Sequence, residues 1–247
     1  MKGPTWQYPT NGTNSSERGM NRFDLIMYIL FIGIGSAVML GLVMSSWVEK
    51  RRTDAWRRVA QTLGLSFRGN NDILLNRFPA FEVFSPGAHQ RFYNAVEAHA
   101  GNIRITVGDF AYRTFDTRTG SRPKGRRHVQ TVCVLESDAL DTPRCHLRPQ
   151  RAVFDKFGAL FGGQDINFAD DRAFSNAFVL RGDDESAVRK LFDARVRAWF
   201  TEHHSERCQF ETQANRLVFN YGRKREPKDA PRFMQQVLEV AKLLTHA

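Results

Sequence analysis

Apolar residues are distributed unevenly along this chain, with one long uninterrupted run near the N-terminus. Residues 25–48 include no charged side chain. As a helix, this run would be about 36 Å long at roughly 1.5 Å per residue, which is enough to cross a bilayer core of about 30 Å. The pattern predicts a transmembrane helix over residues 23–48, preceded by a disordered tail over residues 1–22 that is rich in Gly, Pro, Ser, Thr and Asn.

Two other interpretations of the run are a cleaved signal peptide and a buried helix of a soluble protein. A signal peptide has an apolar region of only about 7–15 residues. A helix that is apolar all round would need burial on every side. An uncleaved anchor therefore fits the length and composition of the run best.

Beyond the run, shorter patterns predict a helix over residues 49–64 and an α+β domain over residues 65–247. Strict alternation of polar and apolar residues over 102–107 predicts a strand. Further strands are predicted at residues 92–98, 129–135, 145–148, 178–180, 208–212 and 216–221. Because hairpins alternate here with amphipathic helices, we expect a largely antiparallel sheet. The domain could form one unit or two subdomains, 65–150 and 151–247.

Apolar residues at helical spacing predict further helices in the second half of the chain. One helix should begin after Asp183 as N-cap and bury a face that ends at Phe200. The last helix should open near Asp229 and bury a face that runs from Phe233 to Leu244. A short helix is also expected at residues 154–161.

Basic residues follow the apolar run directly and give it an orientation. Within ten residues of its end stand Lys50, Arg51, Arg52, Arg57 and Arg58, whereas the basic residues before it are spread over 22 positions. Cytoplasmic flanks of membrane helices carry an excess of Lys and Arg. We therefore expect the chain in a bacterial inner membrane, with the N-terminus outside and the domain in the cytoplasm. The same five residues would contact anionic lipid.

Four small residues lie on one stripe of the predicted membrane helix, since Gly33, Ala37, Gly41 and Ser45 recur every four positions. Such spacing lets two helix backbones approach closely in lipid. The stripe could make the chain a homodimer, or it could reflect the general frequency of small residues in membrane helices.

A second basic cluster falls between two predicted strands, in the loop over residues 117–128. Its members are Arg118, Arg122, Lys124, Arg126 and Arg127. They could bind the phosphates of lipid headgroups or of nucleic acid, or they could form a solvated loop. Nucleic acid is the weaker option, because the stacking platforms that such proteins use need exposed aromatic residues. Here the aromatic residues occupy positions with core periodicity.

No motif in the chain indicates a catalytic, metal or cofactor site. The three cysteines, Cys133, Cys145 and Cys208, form no C-x-x-C pair, and His146, His203 and His204 do not supply zinc-ligand spacing. Nucleophile-elbow, phosphate-loop and dinucleotide-binding signatures are also missing from the sequence. We therefore predict no cofactor and leave enzymatic activity open. A formal net charge of +10 favours anionic partners but does not specify a fold.

Several spaced motifs resemble an uncharacterised family of bacterial single-pass membrane proteins. One runs from Trp56 through Val59-Ala60 and Leu63-Gly64-Leu65 to Phe67; others are 130–132, 162–168 and 174–183. Where relatives tend to have an aspartate followed by tyrosines, this chain has Gly108-Asp109-Phe110-Ala111-Tyr112. The resemblance implies an N-terminal anchor and a soluble domain of unknown role, and it supplies no catalytic residues.

These observations favour a membrane-anchored scaffold or interaction module that binds a membrane surface or a protein partner of unknown identity. The first alternative is a membrane-tethered enzyme or ligand sensor, with a pocket beside Asp109 and Tyr112. The second alternative is nucleic-acid binding through the basic loop.

Overall fold

A computed structural model of the chain describes residues 22–116, 124–150 and 165–245. It divides the chain into two compact units, Met1–Lys50 and Arg51–Ala247. The second unit is a mixture of helices and antiparallel strands, so the predicted α+β class is confirmed.

Helix α1 (Arg22–Leu63) includes the whole of the apolar run. Within the described residues it is the helix that is long and apolar enough to cross a membrane, as judged by length and composition. In the first unit, the large apolar side chains that the structure describes are exposed, among them Phe31, Met39 and Leu40. At its other end the helix stops before Gly64, whose φ of 66° suits a residue without a Cβ atom.

The described residues of the second unit form the end of α1, eight strands and five further helices. The strands are β1 (Ser66–Asn70), β2 (Ala88–Ala100), β3 (Ile103–Asp116), β4 (Lys124–Ser137), β5 (Thr142–Pro149), β6 (Phe178–Gly182), β7 (Gln209–Ala214) and β8 (Arg216–Asn220). The helices are α2 (Ile73–Arg77), α3 (Arg172–Ala177), α4 (Glu185–Leu191), α5 (Ala194–Glu202) and α6 (Ala230–Leu244). Three short 3-10 turns lie at Glu82–Phe84, His204–Glu206 and Pro227–Asp229.

All eight strands form one antiparallel sheet in the order β1-β2-β3-β4-β8-β7-β5-β6. Strand β8, from the second half of the chain, pairs with β4 from the first half, and β5 lies between β7 and β6. Both halves therefore contribute to a single sheet, and the structure does not divide into the two subdomains considered above.

The sheet buries apolar side chains on both of its faces, as the alternation along β3 requires. On one face Val107 packs in a large cluster with Trp56 of α1, Phe200 of α5 and Phe233 of α6. On the other face Phe110 belongs to a smaller cluster that α2 and the Glu82–Phe84 turn cover.

The predicted strands are confirmed, but the single helix predicted after Asp183 is wrong. The chain forms α4 and α5 in its place. Asp184, not Asp183, caps α4 by accepting from Ala187 N, and Asp193 starts α5 by accepting from Val196 N. An aspartate that caps a helix has a non-helical backbone, so Asp193 interrupts the apolar stripe. The helix predicted at residues 154–161 lies outside the described residues.

Candidate functional site

The most highly connected polar cluster that we find in the described residues surrounds the carboxylate of Asp109 on β3. Asp109 is completely buried. Arg52 donates two hydrogen bonds to it, from Nε to Oδ2 at 2.7 Å and from Nη2 to Oδ1 at 2.6 Å. Bidentate pairs of this kind are the strong and geometrically specific form of the arginine–carboxylate interaction.

Three neutral donors complete the environment of the same carboxylate. Trp56 Nε1 donates to Oδ2 at 3.2 Å and Asn94 Nδ2 donates to Oδ2 at 3.1 Å, while Thr131 Oγ1 donates to Oδ1 at 3.2 Å. Burying a charge is costly unless the charge is paired and hydrogen-bonded. These donors therefore make a carboxylate inside the sheet tolerable, and they leave its oxygens closed to solvent and to a substrate.

Arg52 connects this cluster to the segment that follows β8. Its Nη2 also donates to the carbonyl oxygen of Arg225 at 2.9 Å. The backbone N–H of Arg225 in turn donates to Thr131 Oγ1 at 2.9 Å. The Asp109 cluster thus ties α1, three strands and the 223–225 segment together at one point.

A bulge in β2 brings Asn94 to the carboxylate. The register of β2 against β3 shifts between Tyr93 and Val96, and Asn94 has a φ of 54°, a conformation that Asn adopts more readily than most residues. Gly108 makes room for this bulge, because a Cβ atom there would lie 2.8 Å from Phe92 Cε1. A glycine directly before Asp109 therefore helps to build the cluster.

Two contacts fix the direction in which α1 crosses the sheet. Arg52 lies at Asp109, and five residues later the guanidinium of Arg57 lies 5.4 Å from the ring centre of Phe67. Through the pairing of β1 with β2 and of β2 with β3, Phe67 is level with Val107. The helix then ends at Leu63, and the chain enters β1 at Ser66, which the same pairings place level with Thr106. Residue numbers therefore rise along α1 as they fall along β3, and residue 51 lies towards the β3–β4 hairpin.

At this hairpin end, the sheet narrows and its exposed side chains are mainly basic. Strand β4 pairs with β8 only from Val132 onward, so its earlier residues have β3 as their strand partner. We define the basic sheet end by the exposed residues Arg91, Arg113, Phe115, Arg126, Arg127, Arg223 and Lys224. Arg223 belongs to it because its carbonyl oxygen accepts from Thr131 N at 3.1 Å.

Among the described residues, four cations of the basic sheet end have no side-chain partner. In the parts of the chain that the structure describes, the side chains of Arg91, Arg113, Arg126 and Arg223 make no hydrogen bond or ion pair. Elsewhere in the domain many arginines are ion-paired: Arg52, Arg68, Arg77, Arg104, Arg144, Arg181, Arg189, Arg195, Arg197, Arg216, Arg225 and Arg232. No carboxylate of the described residues therefore pairs with these four cations.

One aromatic side chain lies among these cations. Phe115 is 43% exposed on the outer part of β3. Its ring lies over Gly125 on the paired strand, where an added Cβ atom would meet Phe115 Cε1 at 2.9 Å, and it contacts the His89 ring edge-on at 6.2 Å between ring centres. The phenyl group is thus supported from two sides while its remaining surface faces outward.

Most of the basic residues predicted to contact lipid are on the surface, and one is not. Lys50, Arg51, Arg57 and Arg58 are exposed, and Arg57 pairs with Asp54 at 3.0 Å. Arg52 departs from the prediction, because its guanidinium is held by Asp109 and its side chain is only 13% exposed.

The structure places only part of the second predicted cluster, the basic loop. Arg118 and Arg122 lie outside the described residues. Lys124 is the first residue of β4, and Arg126 and Arg127 are exposed strand residues rather than loop residues. Arg127 Nη2 donates to the hydroxyl group of Tyr93 at 2.9 Å.

The predicted small-residue stripe lies on the surface of the first unit. Gly33, Ala37, Gly41 and Ser45 are all exposed on α1. A Cβ atom added at Gly33 or Gly41 would meet nothing within 4 Å. Pairing of two chains through this stripe stays a prediction.

The pocket predicted beside Asp109 and Tyr112 is not formed by those two residues. They are three positions apart on a strand, so they lie on opposite faces of the sheet. Tyr112 stacks on His128 with 4.9 Å between ring centres, and burial raises the pKa of its hydroxyl group. Asp109 faces Arg52, so no cleft brings the two side chains together.

The open grooves on the described surface of the second unit include two that lie away from these residues. One, of about 370 Å³, is mostly apolar and runs between α1 and the start of α6, lined by Val59, Leu63 and Pro231 with Arg58 and Lys228. The other, of about 350 Å³, is polar and lies at the opposite end of β3 from the hairpin. There Glu136 accepts from Arg77, Arg104 and Arg216, so its cations already have an internal anion.

The remaining buried thiols and carboxylates lie in environments that indicate a structural role. Burial raises the pKa of the Cys145 and Cys208 thiols to about 12 and also raises that of Cys133. The carboxylate of Glu211 accepts from the backbone N–H groups of Glu82 and Val83 at 2.5 and 2.9 Å, and burial raises its pKa. Within the described ranges, no group of three or more His, Cys, Asp or Glu is arranged to hold a metal ion.

Comparisons with known proteins support the fold and do not identify a family. No family model matches the sequence, and no functionally curated protein matches it. Among solved structures, the chain is similar to the mycobacterial trehalose monomycolate transport factor A, TtfA, with a TM-score of 0.51. The two sequences are 12% identical, and the match covers 79% of this chain and 92% of that one. At this identity the likeness concerns the fold alone.

Proposed function

We propose that this chain is a single-pass protein of the bacterial inner membrane whose cytoplasmic α+β domain is an interaction module. In this proposal α1 spans the bilayer with its N-terminus outside. The domain presents its surface to a protein or to the membrane.

The observation that carries the proposal is that the helix following the apolar run is part of the core of the domain. Trp56 is completely buried, and Arg52 is paired with Asp109 inside the sheet. Arg51, where the domain begins, follows Val48 by three residues, which can span at most about 11 Å even when extended. A chain anchored through this run would therefore hold the domain close to the bilayer without a flexible linker, as expected for a module that acts at a membrane surface.

The polar chemistry of the described residues also favours an interaction role. The buried carboxylates of Asp109 and Glu211 are occupied by hydrogen-bond donors of the domain itself. The cations without internal partners are instead exposed and gathered at the basic sheet end. Charge that is not satisfied internally is available to an external partner.

Comparative purification tests the proposal. The full chain with a C-terminal affinity tag would be purified in mild detergent from cross-linked membranes. The control would carry residues 1–64 joined to an unrelated soluble domain. We expect the full chain to enrich a specific protein or an anionic lipid over this control, as measured by mass spectrometry. Equal recovery of all proteins and lipids with both chains would contradict an interaction role for the domain.

A further inference from the structure

We propose that the basic sheet end docks onto the anionic headgroups of the same membrane that anchors the chain. This inference rests on the proposed function and deepens it, because it names the surface that meets the bilayer and the chemistry of its partner.

The direction of α1 places this surface at the correct end of the domain. Residue 51 lies towards the β3–β4 hairpin, because α1 and β3 run in opposite directions past Asp109. The Arg52–Asp109 pair fixes that relation inside the domain. The end of the sheet that carries Arg113 and Arg127 is therefore also the end at which residue 51, the first residue of the domain, lies.

Four charges of this surface are available to an external anion. Arg91, Arg113, Arg126 and Arg223 lack partners among the described residues, although arginines elsewhere in the domain are widely paired. Anionic lipids attract basic residues within about one Debye length of the surface, roughly 8–10 Å at moderate salt. Because only three residues separate Val48 from Arg51, the start of the domain lies within a comparable distance of the bilayer when the apolar run spans it.

Phe115 makes the surface suitable for lipid headgroups in particular. It lies beside the cations on β3 and keeps 43% of its surface exposed. Interfacial protein segments combine Lys or Arg with aromatic residues that sit at the headgroup–acyl boundary. A lone exposed phenyl ring within a basic surface fits this boundary better than it fits bulk water.

Spin-label accessibility in the full chain tests the inference. A nitroxide would be attached at Ala88→Cys, an exposed position whose strand partner is Arg113. The native cysteines are buried and should remain unlabelled. The chain would be reconstituted in nanodiscs of phosphatidylcholine alone or with 30% phosphatidylglycerol. We expect the label to contact lipid in the anionic discs and to face water in the neutral discs or in 1 M salt. A reference label at Ser186→Cys, exposed on α4, should face water in every disc.

Neutralising variants measure the electrostatic contribution. Each basic residue near an anionic leaflet contributes about a fivefold change in binding. Arg91→Gln/Arg113→Gln should therefore lower the ratio of docked to undocked label about 25-fold. Arg172→Gln/Lys190→Gln removes two exposed cations on α3 and α4 that likewise have no partner in the described residues. This matched pair should leave the ratio unchanged, and circular dichroism would verify that all variants are folded.

The possible failures are distinguishable. A chain that does not co-elute with the discs would contradict the anchor and with it the proposed function. A chain that is retained but keeps its label in water in the anionic discs would overturn the docking inference alone. If the label contacts lipid equally in neutral and in anionic discs, the domain does not dock through electrostatic attraction, which would overturn that part of the inference. If the label becomes shielded from water only after a single-stranded oligonucleotide is added, the partner of the basic sheet end is nucleic acid and not the membrane.

Discussion

Breaking the buried pair of Arg52 and Asp109 should destabilise the whole domain. Asp109→Asn removes the negative charge while keeping the size of the side chain, and Arg52→Met removes the positive charge while keeping much of the apolar stem. Both groups are largely withdrawn from water, with side chains 13% and 0% exposed. Each single change therefore leaves an uncompensated charge inside the protein.

The size of the loss in stability follows from the unpaired charge that each single variant leaves buried. Removing one partner of a buried ion pair costs about 3–5 kcal/mol, whereas replacing both partners is often close to neutral. In a domain of this size, about 1 kcal/mol shifts the melting temperature by roughly 2–4 °C. Each single variant should thus melt about 6–20 °C below the wild type. The double variant should melt well above the temperature expected if the two losses simply added, with a coupling energy of at least about 2 kcal/mol.

Thermal unfolding of the full chain in detergent micelles, followed by circular dichroism, measures this cycle. Arg57→Met is the matched control on the same helix, because Arg57 pairs with Asp54 at the surface with side chains 51% and 38% exposed. Exposed pairs contribute about 0–1 kcal/mol, so the control should melt within a few degrees of the wild type. If the two single losses added to within about 0.5 kcal/mol in the double variant, the pair would not be coupled and the reasoning would be refuted.

Three further outcomes follow from the same structure. Gly108→Ala should destabilise the domain by about 1–3 kcal/mol in a melting experiment because its Cβ atom would clash with the β2 bulge, while Gly69→Ala, with nothing within 4 Å, should cost far less; equal losses would contradict this packing. Asp171 is the N-cap of α3, and its carboxylate accepts a hydrogen bond from the backbone N–H of Phe174. This hydrogen bond, together with the one from Arg197, lowers the pKa of Asp171 below 3.8. Its contribution is thus present above pH 3.8 and is lost as the pH falls, so Asp171→Asn should be less stable than the wild type at pH 6, with a difference that shrinks on acidification; a difference independent of pH would argue against it. The three buried cysteines should resist iodoacetamide at pH 8 in the folded chain and react after unfolding, as mass spectrometry would show, and rapid labelling of the folded chain would contradict their burial.

Local patterning was sufficient to predict the strands around Val107 and the buried face of α6. Alternation over residues 102–107 places Ile105 and Val107 in the core, as observed. The same alternation extends to Asp109, but the sequence analysis placed Asp109 beside a pocket and did not predict its burial. A buried carboxylate needs a cation. Which cation would fill that role depends on how α1 crosses the sheet, and this long-range geometry is not encoded in any local pattern.

The outer parts of β3 and β4 were missed because their residues do not alternate in polarity. Arg113, Thr114, Arg126 and Arg127 belong to a two-stranded arm. The sequence analysis placed Arg126 and Arg127 in the loop over residues 117–128 and predicted no strand at Arg113 and Thr114. An arm that is solvated on both sides has no buried face to impose a period of two. Its extended form instead follows from continuous cross-strand pairing out to Asp116 and Lys124.

The break between α4 and α5 could have been predicted from one residue. Asp193 stands in the middle of the apolar stripe, and its side chain caps α5. Aspartate favours N-caps over helix interiors because it hydrogen-bonds to the backbone. The continuous spacing of Val188, Phe192 and Val196 outweighed this signal in the sequence analysis, although the stripe fits two helices packed on the same sheet equally well.

The membrane position of the domain is the central claim, and fusing reporters to the C-terminus of the full chain tests it most directly. A green fluorescent protein fusion should be fluorescent and an alkaline phosphatase fusion should be inactive, with both proteins staying in the membrane pellet after a carbonate wash. Active phosphatase in the periplasm, or release of the chain by carbonate, would contradict the account.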